Sequence, residues 1–574
     1  MSSKSSLTKL QSELKDKNID VFIINRSDEF LNEYIAPYAE RLNFITNFSG
    51  SAGKAIIHQN EAYLYVDGRY TFQAQEQINT DEIKSKHINL FWDDLKKIFT
   101  TQNCVIAIDP KLHSINEIYR IQEYIVNTSA NINFLDTNII DKIWNNKPKI
   151  EYSNIFDHPI KFAGCDRIEK LNNFYDFLNN NNINQYLVTG LDNIAWLLNI
   201  RADDILYTPL VFSYLLISKK HKSSLYIKHD KINNKLKTEL EKHINIKPIE
   251  NINSIFSKIK KDDIVGLDFS STTYYFLKQL ENNNIQHKNI TNPLILSKAI
   301  KNKTEQTGAF NANLRDGVSM TRFIYWLKNE IDTNSSNEII VSKYLESLRK
   351  KNELFHSLSF ETISAFGKNA ALPHYRVNKT SNINFTKDNI YLVDSGAQYY
   401  DGTTDITRTI ILGKASEEQK DRFTRVLKGH IALSNHIFPK GTKGTDIDYL
   451  AREYLNEIGC DYDHGTGHGI GSFLSVHEAP QRIAKKSMHN SVELVSGMII
   501  SNEPGYYKLN EYGIRIENLI MIKENKNNLL YFENLTWCPI DSDLIEKGLL
   551  NNKELEWLNT YHENVYTKLN DYLN

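Results

Sequence analysis

Carboxylates placed inside apolar, strand-like runs constrain this chain more than any other feature of it. The stretch DSGAQYYDGTTDITRT, Asp394 to Thr409, sets Asp394 and Asp405 eleven positions apart in sequence that otherwise patterns as β-strand. Aspartate is a poor strand former, because its short side chain competes with the ladder for backbone hydrogen bonds. The run from Ile390 to Asp394 is apolar and β-branched, DGTTDITRTIIL alternates Thr with Ile, and Asp401-Gly402 between them is a hairpin signal. This predicts two antiparallel neighbours with both aspartates pointing the same way, a few ångströms apart. Like charges across a strand pair repel, and a shared cation turns that repulsion into binding.

Further candidate ligands follow downstream. HGTGHGIG begins at His464, SNEPGYY carries Glu503 and GIRIENLIMI carries Glu517. A carboxylate inside an otherwise apolar run is costly unless it is paired or bound to metal. Each of these residues alone is better explained as an edge or salt-bridged side chain. Together, Asp394, Asp405, His468, Glu503 and Glu517 supply four carboxylates and one imidazole, enough for two divalent ions that share bridging carboxylates. An oxygen-rich set of this kind suits a hard, Mn²⁺-like ion better than structural zinc. Two adjacent ions can lower the pKa of a shared water and hold a substrate carbonyl.

Two zinc readings fail. HEAPQ at His477 is not HExxH, since Gln481 stands at the last position. His464 and His468 are spaced i, i+4, but Gly465, Gly467, Gly469 and Gly471 make a helix there unfavourable. A glycine-lined turn that lets the backbone approach a site is expected instead.

At 574 residues the chain is too long for one core, and three domains are expected. The fold class reads as α/β followed by α+β. The first segment runs from a helical pattern, LTKLQSELKDK, to VFIIN, AIIH and AYLYV. A similar arrangement returns in LNNFYDFLNNNNINQYLVTGLDNIAWLLNI, read as helix, strand, Asp-Asn turn and apolar helix, with VFSYLLIS and SSLYIK as a strand pair. We expect two related α/β domains at residues 1–155 and 156–298. A third, at 299–574, begins where a long amphipathic helix carries Met320, Phe323, Ile324 and Leu327 at helical spacing. NKELEWLNTYHENVYTKLNDYLN is expected to be a C-terminal helix, with Trp557, Leu558 and Tyr561 facing the core or a partner rather than a cofactor.

A net charge of -2 gives no reason to expect nucleic acid or an anionic membrane as partner. No apolar run of membrane-spanning length and no secretory h-region stands out. Cys104, Cys165, Cys460 and Cys538 are scattered without a disulfide framework, which points to a reducing compartment, the cytoplasm.

With these residues assembled, the chain resembles aminopeptidase P, the Xaa-Pro aminopeptidases of the creatinase/methionine aminopeptidase superfamily, in its long three-domain cytosolic type. The motifs that carry the resemblance are LVDSGAQYYDGTTDITRT, HGTGHGIG, VHEAP, NEPGYY and GIRIEN, supported in the N-terminal half by EYIAPYAERLNFITNFSGSAG, DGRY and LDNIAWLLNIR. It implies two creatinase-like domains ahead of a pita-bread catalytic domain, two divalent ions (Mn²⁺ first, with Co²⁺ and Zn²⁺ as alternatives) and a homodimer. Asp405 and Glu517 would bridge the ions, Asp394 would bind one, and His468 and Glu503 the other. Glu503 would also handle the proton of the attacking water. His374, in ALPHYRV, and His477 would hydrogen-bond the scissile group and the tetrahedral intermediate. His464 would border the pocket for the proline ring. Arg515, by its own position two residues before Glu517 and so on the same strand face, is expected to hydrogen-bond Asp394 or Asp405 from behind.

The implied reaction releases the first residue from peptides with proline in second position, by attack of a water or hydroxide held between the two ions. Prolidase, which shares the ligand set but cuts only Xaa-Pro dipeptides, is the nearest alternative. The duplicated N-terminal domains favour the aminopeptidase. A non-enzymatic binding protein on a creatinase-like scaffold is the alternative from another class, and the complete ligand set argues against it.

Overall fold

The computed structural model describes residues 5–100, 103–333, 335–486 and 492–573. The chain divides into two compact units, Met1–Asp157 with Asp166–Leu294, and His158–Cys165 with Ile295–Asn574.

The first unit holds two six-stranded sheets of the same design. In one, Val21–Asn25 runs antiparallel to Lys54–His58 on one side and parallel to Val105–Ile108 on the other. In the second, Gln185–Val188 has the same two relations, to Tyr214–Ser218 and to Ile264–Leu267. The strands beyond repeat the match, with parallel edge strands at both ends of each sheet. The repeat read between NIDVFIIN and NINQYLV therefore falls on the equivalent strand of each sheet. Each sheet has its own core: Leu7, Leu10 and Leu14 of the helix Ser6–Asp16 pack with Phe22 and Ile24. Leu171, Phe174 and Leu178 of the helix Arg167–Asn180 pack with Tyr186 and Val188. One local expectation is corrected. Asp192 and Asn193 are not a turn but the first turn of the helix Leu191–Leu198, where an acidic group complements the helix dipole.

The second unit opens on the long helix Lys303–Asn329, started by a capping box in which Asn302 and Glu305 satisfy each other's backbone N–H groups. Met320, Phe323 and Leu327 turn its apolar stripe onto Tyr391, Val393 and Ile410. Those residues belong to the strands Asn389–Ser395 and Ile406–Leu412, which pair antiparallel. The hairpin continues to Tyr399 opposite Gly402, so its two-residue turn is Tyr400-Asp401, one position earlier than the Asp-Gly signal suggests. A six-stranded sheet follows, in the order Ile437–Phe438, Leu530–Asn534, Asn518–Glu524, Ile499–Asn502, Gly467–Gly469 and Glu478–Ile483. The helix Glu417–Ser434 buries Phe423, Val426, Leu427 and Ile431 in one cluster with Ile514 and Ile516. The C-terminal helix Asn552–Leu573 adds Leu558, Tyr561, Val565 and Leu569 to the same cluster. Among the described residues, no helix is long and apolar enough to cross a membrane.

Candidate metal centre

Three strand breaks and one glycine-flanked strand converge in the second unit. Asp394 pairs across the hairpin with Thr407, so Asp405 lies two residues from that partner, on the same face and diagonal to Asp394. Glu517 occupies the two-residue break between the strands Tyr512–Arg515 and Asn518–Glu524. Its backbone N–H donates to Thr407 O at 3.2 Å, and its Oε2 accepts from Thr407 Oγ1 at 2.7 Å. A single threonine thus fixes both the main chain and the carboxylate of Glu517.

His468 sits in the middle of the strand Gly467–Gly469 rather than in a turn. Glycine weakens a strand in isolation, but here the reason is crowding. A Cβ at position 467 would lie 1.9 Å from Ser501 O, and one at 469 would lie 2.3 Å from Glu478 O. The His468 Nδ1 faces Gly469 O at 3.0 Å. A carbonyl only accepts, so Nδ1 carries a hydrogen, which leaves Nε2 as the atom that could ligate. That Nε2 lies 3.5 Å from Asp405 Oδ2 and 3.5 Å from Glu503 Oε1. Ligand atoms of Asp405, His468 and Glu517 lie within 4.8 Å of one another.

The carboxylates are deeply buried, with Glu517 1%, Asp405 4% and Asp394 8% exposed. Burial, reinforced by the charges of Glu517, Asp394 and Glu503, pushes Asp405 well above the ordinary carboxylate range. Burial with the charges of Glu503 and Asp394 does the same to Glu517. Glu503 is raised by burial to about 7, against the opposing pull of Arg515. One oxygen each of Asp394, Asp405 and Glu517 is buried with no hydrogen-bond partner. Buried acceptors left open beside mutually repelling carboxylates fit divalent cations, and oxygen donors with one imidazole fit a hard or borderline ion.

A polar chain runs behind these groups. Arg515 donates from Nη2 to Asp394 Oδ2 at 2.6 Å, from Nη1 to Tyr507 Oη at 2.7 Å and from Nε to Thr407 Oγ1 at 3.2 Å. His464 Nδ1 donates to Gly465 O at 2.8 Å, so its Nε2, 2.8 Å from Tyr507 Oη, accepts the phenolic hydrogen. Of the other candidates, His477 is half-buried with its ring 4.3 Å from that of His468. His374 is half-buried beside Pro373, whose carbonyl accepts from Arg515 at 3.2 Å.

Sequence reasoning missed several members of this arrangement. Thr407 and Tyr507 look like ordinary strand residues, and no spacing rule singles them out. Lys298, Lys301 and Glu478 look like solvated charges, yet they form a fully buried group: Lys298 Nζ is 3.3 Å from Glu478 Oε2, and Lys301 pairs with Oε1 of the same carboxylate. This group anchors the strand that begins immediately after His477.

Buried carboxylates around one imidazole, in a unit separate from two sheets of matching design, define a metallopeptidase with creatinase-type N-terminal domains. Residues 310–524 match metallopeptidase family M24, and residues 528–574 match the C-terminal region of that peptidase. Residues 7–142 and 146–305 each match a creatinase/prolidase N-terminal domain. A probable Xaa-Pro aminopeptidase P of Paracoccidioides brasiliensis is 35% identical over 99% of this chain and 96% of its own length. One of Aspergillus fumigatus is 37% identical over 98% of this chain and 89% of its own. The crystal structure of an X-prolyl aminopeptidase from Caenorhabditis elegans, described as a cytosolic enzyme with a di-nuclear active site, superposes with a TM-score of 0.94 at 31% identity. It covers 99% of this chain and 96% of the nematode chain. A prolidase from Pyrococcus horikoshii superposes at 0.52 and 26% identity, over 65% of this chain and 99% of its own. This chain belongs to the Xaa-Pro aminopeptidase P family, with the pita-bread catalytic fold.

Proposed function

We propose that this protein is a dinuclear metallopeptidase that removes the first residue from peptides whose second residue is proline. The observation that carries this reading is His468 Nε2, set 3.5 Å from carboxylate oxygens of both Asp405 and Glu503. The buried, unpartnered oxygens of Asp394, Asp405 and Glu517 support it. Asp394, Asp405, His468, Glu503 and Glu517 would hold two divalent ions, Mn²⁺ by the balance of oxygen donors. When bound, such ions polarise the scissile carbonyl and make water a nucleophile at neutral pH.

The chain's own residues do the rest. Glu503, whose Oε1 lies 3.5 Å from His468 Nε2, would accept a proton from the attacking water and return it to the leaving nitrogen. The leaving nitrogen of an Xaa-Pro bond belongs to a tertiary amide, with no N–H for a protease to recognise. Selectivity therefore rests on a pocket that accepts the ring. His464, bonded to the Tyr507 hydroxyl, would border that pocket. His374 and His477 hydrogen-bond the scissile group and the oxyanion that develops from it. Arg515 fixes Asp394, and Thr407 fixes Glu517.

The reading extends to three domains at 1–155, 156–298 and 299–574, a homodimer, and a cytoplasmic location. The nematode enzyme's description as cytosolic supports the last of these. The test is incubation of Mn²⁺-loaded protein with an Xaa-Pro-Yaa tripeptide and, separately, with an Xaa-Pro dipeptide, using Glu517→Gln as control. The expected result is tripeptide cleavage that the control abolishes. Cleavage of the dipeptide alone would make the protein a prolidase, and no cleavage despite bound metal would make it a binding scaffold.

A further inference from the structure

The second unit contains a buried cation that the reaction above does not use. Arg408, 2% exposed, lies three positions after Asp405 on the strand Ile406–Leu412. Its Nε donates to Pro539 O at 2.9 Å, and its Nη1 donates to Thr407 O at 2.9 Å and to Glu517 O at 2.8 Å. Its Nη2 reaches Asn518 Oδ1, Cys538 O and Tyr561 Oη, each at 2.9 Å. The acceptors are four main-chain carbonyls, one amide and one phenol, all of them neutral. A guanidinium satisfied this completely is fixed in direction, because its planar fork has one orientation that meets all of these oxygens.

The acceptors come from four parts of the unit. Thr407 is on the hairpin of Asp394 and Asp405, Glu517 and Asn518 are at the break that carries a proposed ligand, Cys538 and Pro539 follow the strand Leu530–Asn534, and Tyr561 is on the C-terminal helix. Arg408 therefore fixes the main chain of Glu517 from behind while Thr407 fixes its carboxylate in front. Tyr561 in turn is held: it is 4% exposed, stacks on Trp557 at 5.3 Å, and donates to Cys538 O at 2.8 Å. Its oxygen is then committed to accept from Arg408. The helix is moored independently at its other end, where Lys428 pairs with Glu554 at 2.6 Å.

We propose that Arg408 and Tyr561 are positioning residues of the metal centre, so that the C-terminal helix is part of the frame that sets the spacing of Asp405 and Glu517. The inference rests on the metallopeptidase reading above. Arg408 holds the main chain of Glu517 directly and Tyr561 acts one bond further out; partners that orient a ligand typically alter metal affinity by about 10- to 100-fold when lost.

The experiment measures Mn²⁺ affinity by competition with a chelator of known affinity, and the melting temperature of the chelator-stripped protein, for wild type, Arg408→Lys, Tyr561→Phe and Glu554→Gln. The lysine keeps the charge and loses the fork. The phenylalanine keeps the packing and loses both the acceptor for Arg408 and the donation to Cys538 O. Glu554→Gln removes the ion pair with Lys428 near the start of the helix and leaves the bond between Tyr561 and Arg408 in place. The expected result is Mn²⁺ binding weakened roughly 10- to 100-fold by Arg408→Lys and by a smaller factor in Tyr561→Phe, with Glu554→Gln at the wild-type affinity. Should Arg408→Lys fail to fold, Tyr561→Phe against Glu554→Gln decides alone. Unchanged Mn²⁺ affinity in Tyr561→Phe, or an equal loss in Glu554→Gln, would overturn the proposal. A wild-type protein that binds no Mn²⁺ would instead remove the metallopeptidase reading on which it rests.

Discussion

Arg515 and Asp394 form a charge-assisted hydrogen bond of 2.6 Å in which both side chains are almost wholly buried. Removing one partner of such a pair leaves the other charge uncompensated, at a cost of about 3 to 5 kcal/mol. Arg515→Gln should therefore lower kcat/KM on an Xaa-Pro-Yaa tripeptide by roughly 10- to 100-fold and weaken Mn²⁺ retention with it. Steady-state kinetics together with metal analysis of the dialysed protein check this. Unchanged retention with lost activity would move Arg515 from holding Asp394 to contacting the substrate.

Tyr507 gives its phenolic hydrogen to His464 while accepting from Arg515. In Tyr507→Phe, His464 Nε2 loses the phenolic hydrogen while Nδ1 keeps Gly465 O, and the five proposed metal ligands keep their contacts. We expect KM for the tripeptide to rise by about 10-fold, the worth of one hydrogen bond in the pocket, with kcat changed less. A kcat loss at constant KM would show that the phenol serves the reaction step instead.

The proposed ligands were legible in the sequence because a carboxylate in an apolar strand demands a reason, and that logic reached Asp394, Asp405 and Glu517 directly. It did not reach Thr407 or Arg408. Threonine suits any strand, and an arginine between two threonines reads as an exposed edge until the strands on both sides are in place. The duplicated sheets were legible from repeated apolar runs. The Tyr400-Asp401 turn was misplaced by one position, because register is set by the whole strand pair and not by the Asp-Gly signal alone. HGTGHGIG patterns as a turn in sequence, because the crowding at Gly467 and Gly469 comes from Ser501 and Glu478, outside that stretch.

Protons and metal compete for the same carboxylates. Glu503 is raised to about 7 by burial, and Asp405 and Glu517 are raised by burial and by their neighbours' charges. Below about pH 7 Glu503 is protonated, so an entering cation must displace that proton, and affinity falls as pH falls. Calorimetric titration with Mn²⁺ at pH 7 in two buffers of different ionisation enthalpy should show proton release to buffer. Binding enthalpies that agree in both buffers would show that the carboxylates are already ionised.

His430 makes the fold itself sensitive to acid. Burial, helped by the nearby charge of Arg408, lowers its pKa from 6.5 to about 3, and its Nδ1 lies 3.1 Å from Asn502 O. The unfolded chain takes up a proton below about pH 6.5 while the folded chain stays neutral at this site until about pH 3. Stability from this site is therefore full above pH 6.5 and is lost as pH falls through that window. Denaturant unfolding at pH 7, 6 and 5 should show a shallower decline in His430→Gln than in wild type. Parallel declines would place the acid sensitivity elsewhere.

Gly467 tests whether the close approach of strands at the metal centre is obligatory. A methyl group there would stand 1.9 Å from Ser501 O, and the neighbouring atoms are main chain that cannot swing aside as a side chain would. Gly467 is also one residue from His468, whose N–H donates to Ser501 Oγ at 3.0 Å. Separating the two strands would therefore break that bond and carry the imidazole away from Asp405 and Glu503. Overpacking against yielding neighbours costs about 1 to 3 kcal/mol, and a clash with main chain costs at least that. Gly467→Ala should therefore have a lower melting temperature and bind Mn²⁺ much more weakly than wild type. Gly441→Ala is the control, since its left-handed backbone, φ +90°, strains any side chain while nothing lies within 4 Å of an added Cβ. It should lose stability without losing metal. If Gly467→Ala retains wild-type Mn²⁺ affinity, the centre tolerates a wider strand spacing than its geometry implies, and His468 is held by something other than the packing of these strands.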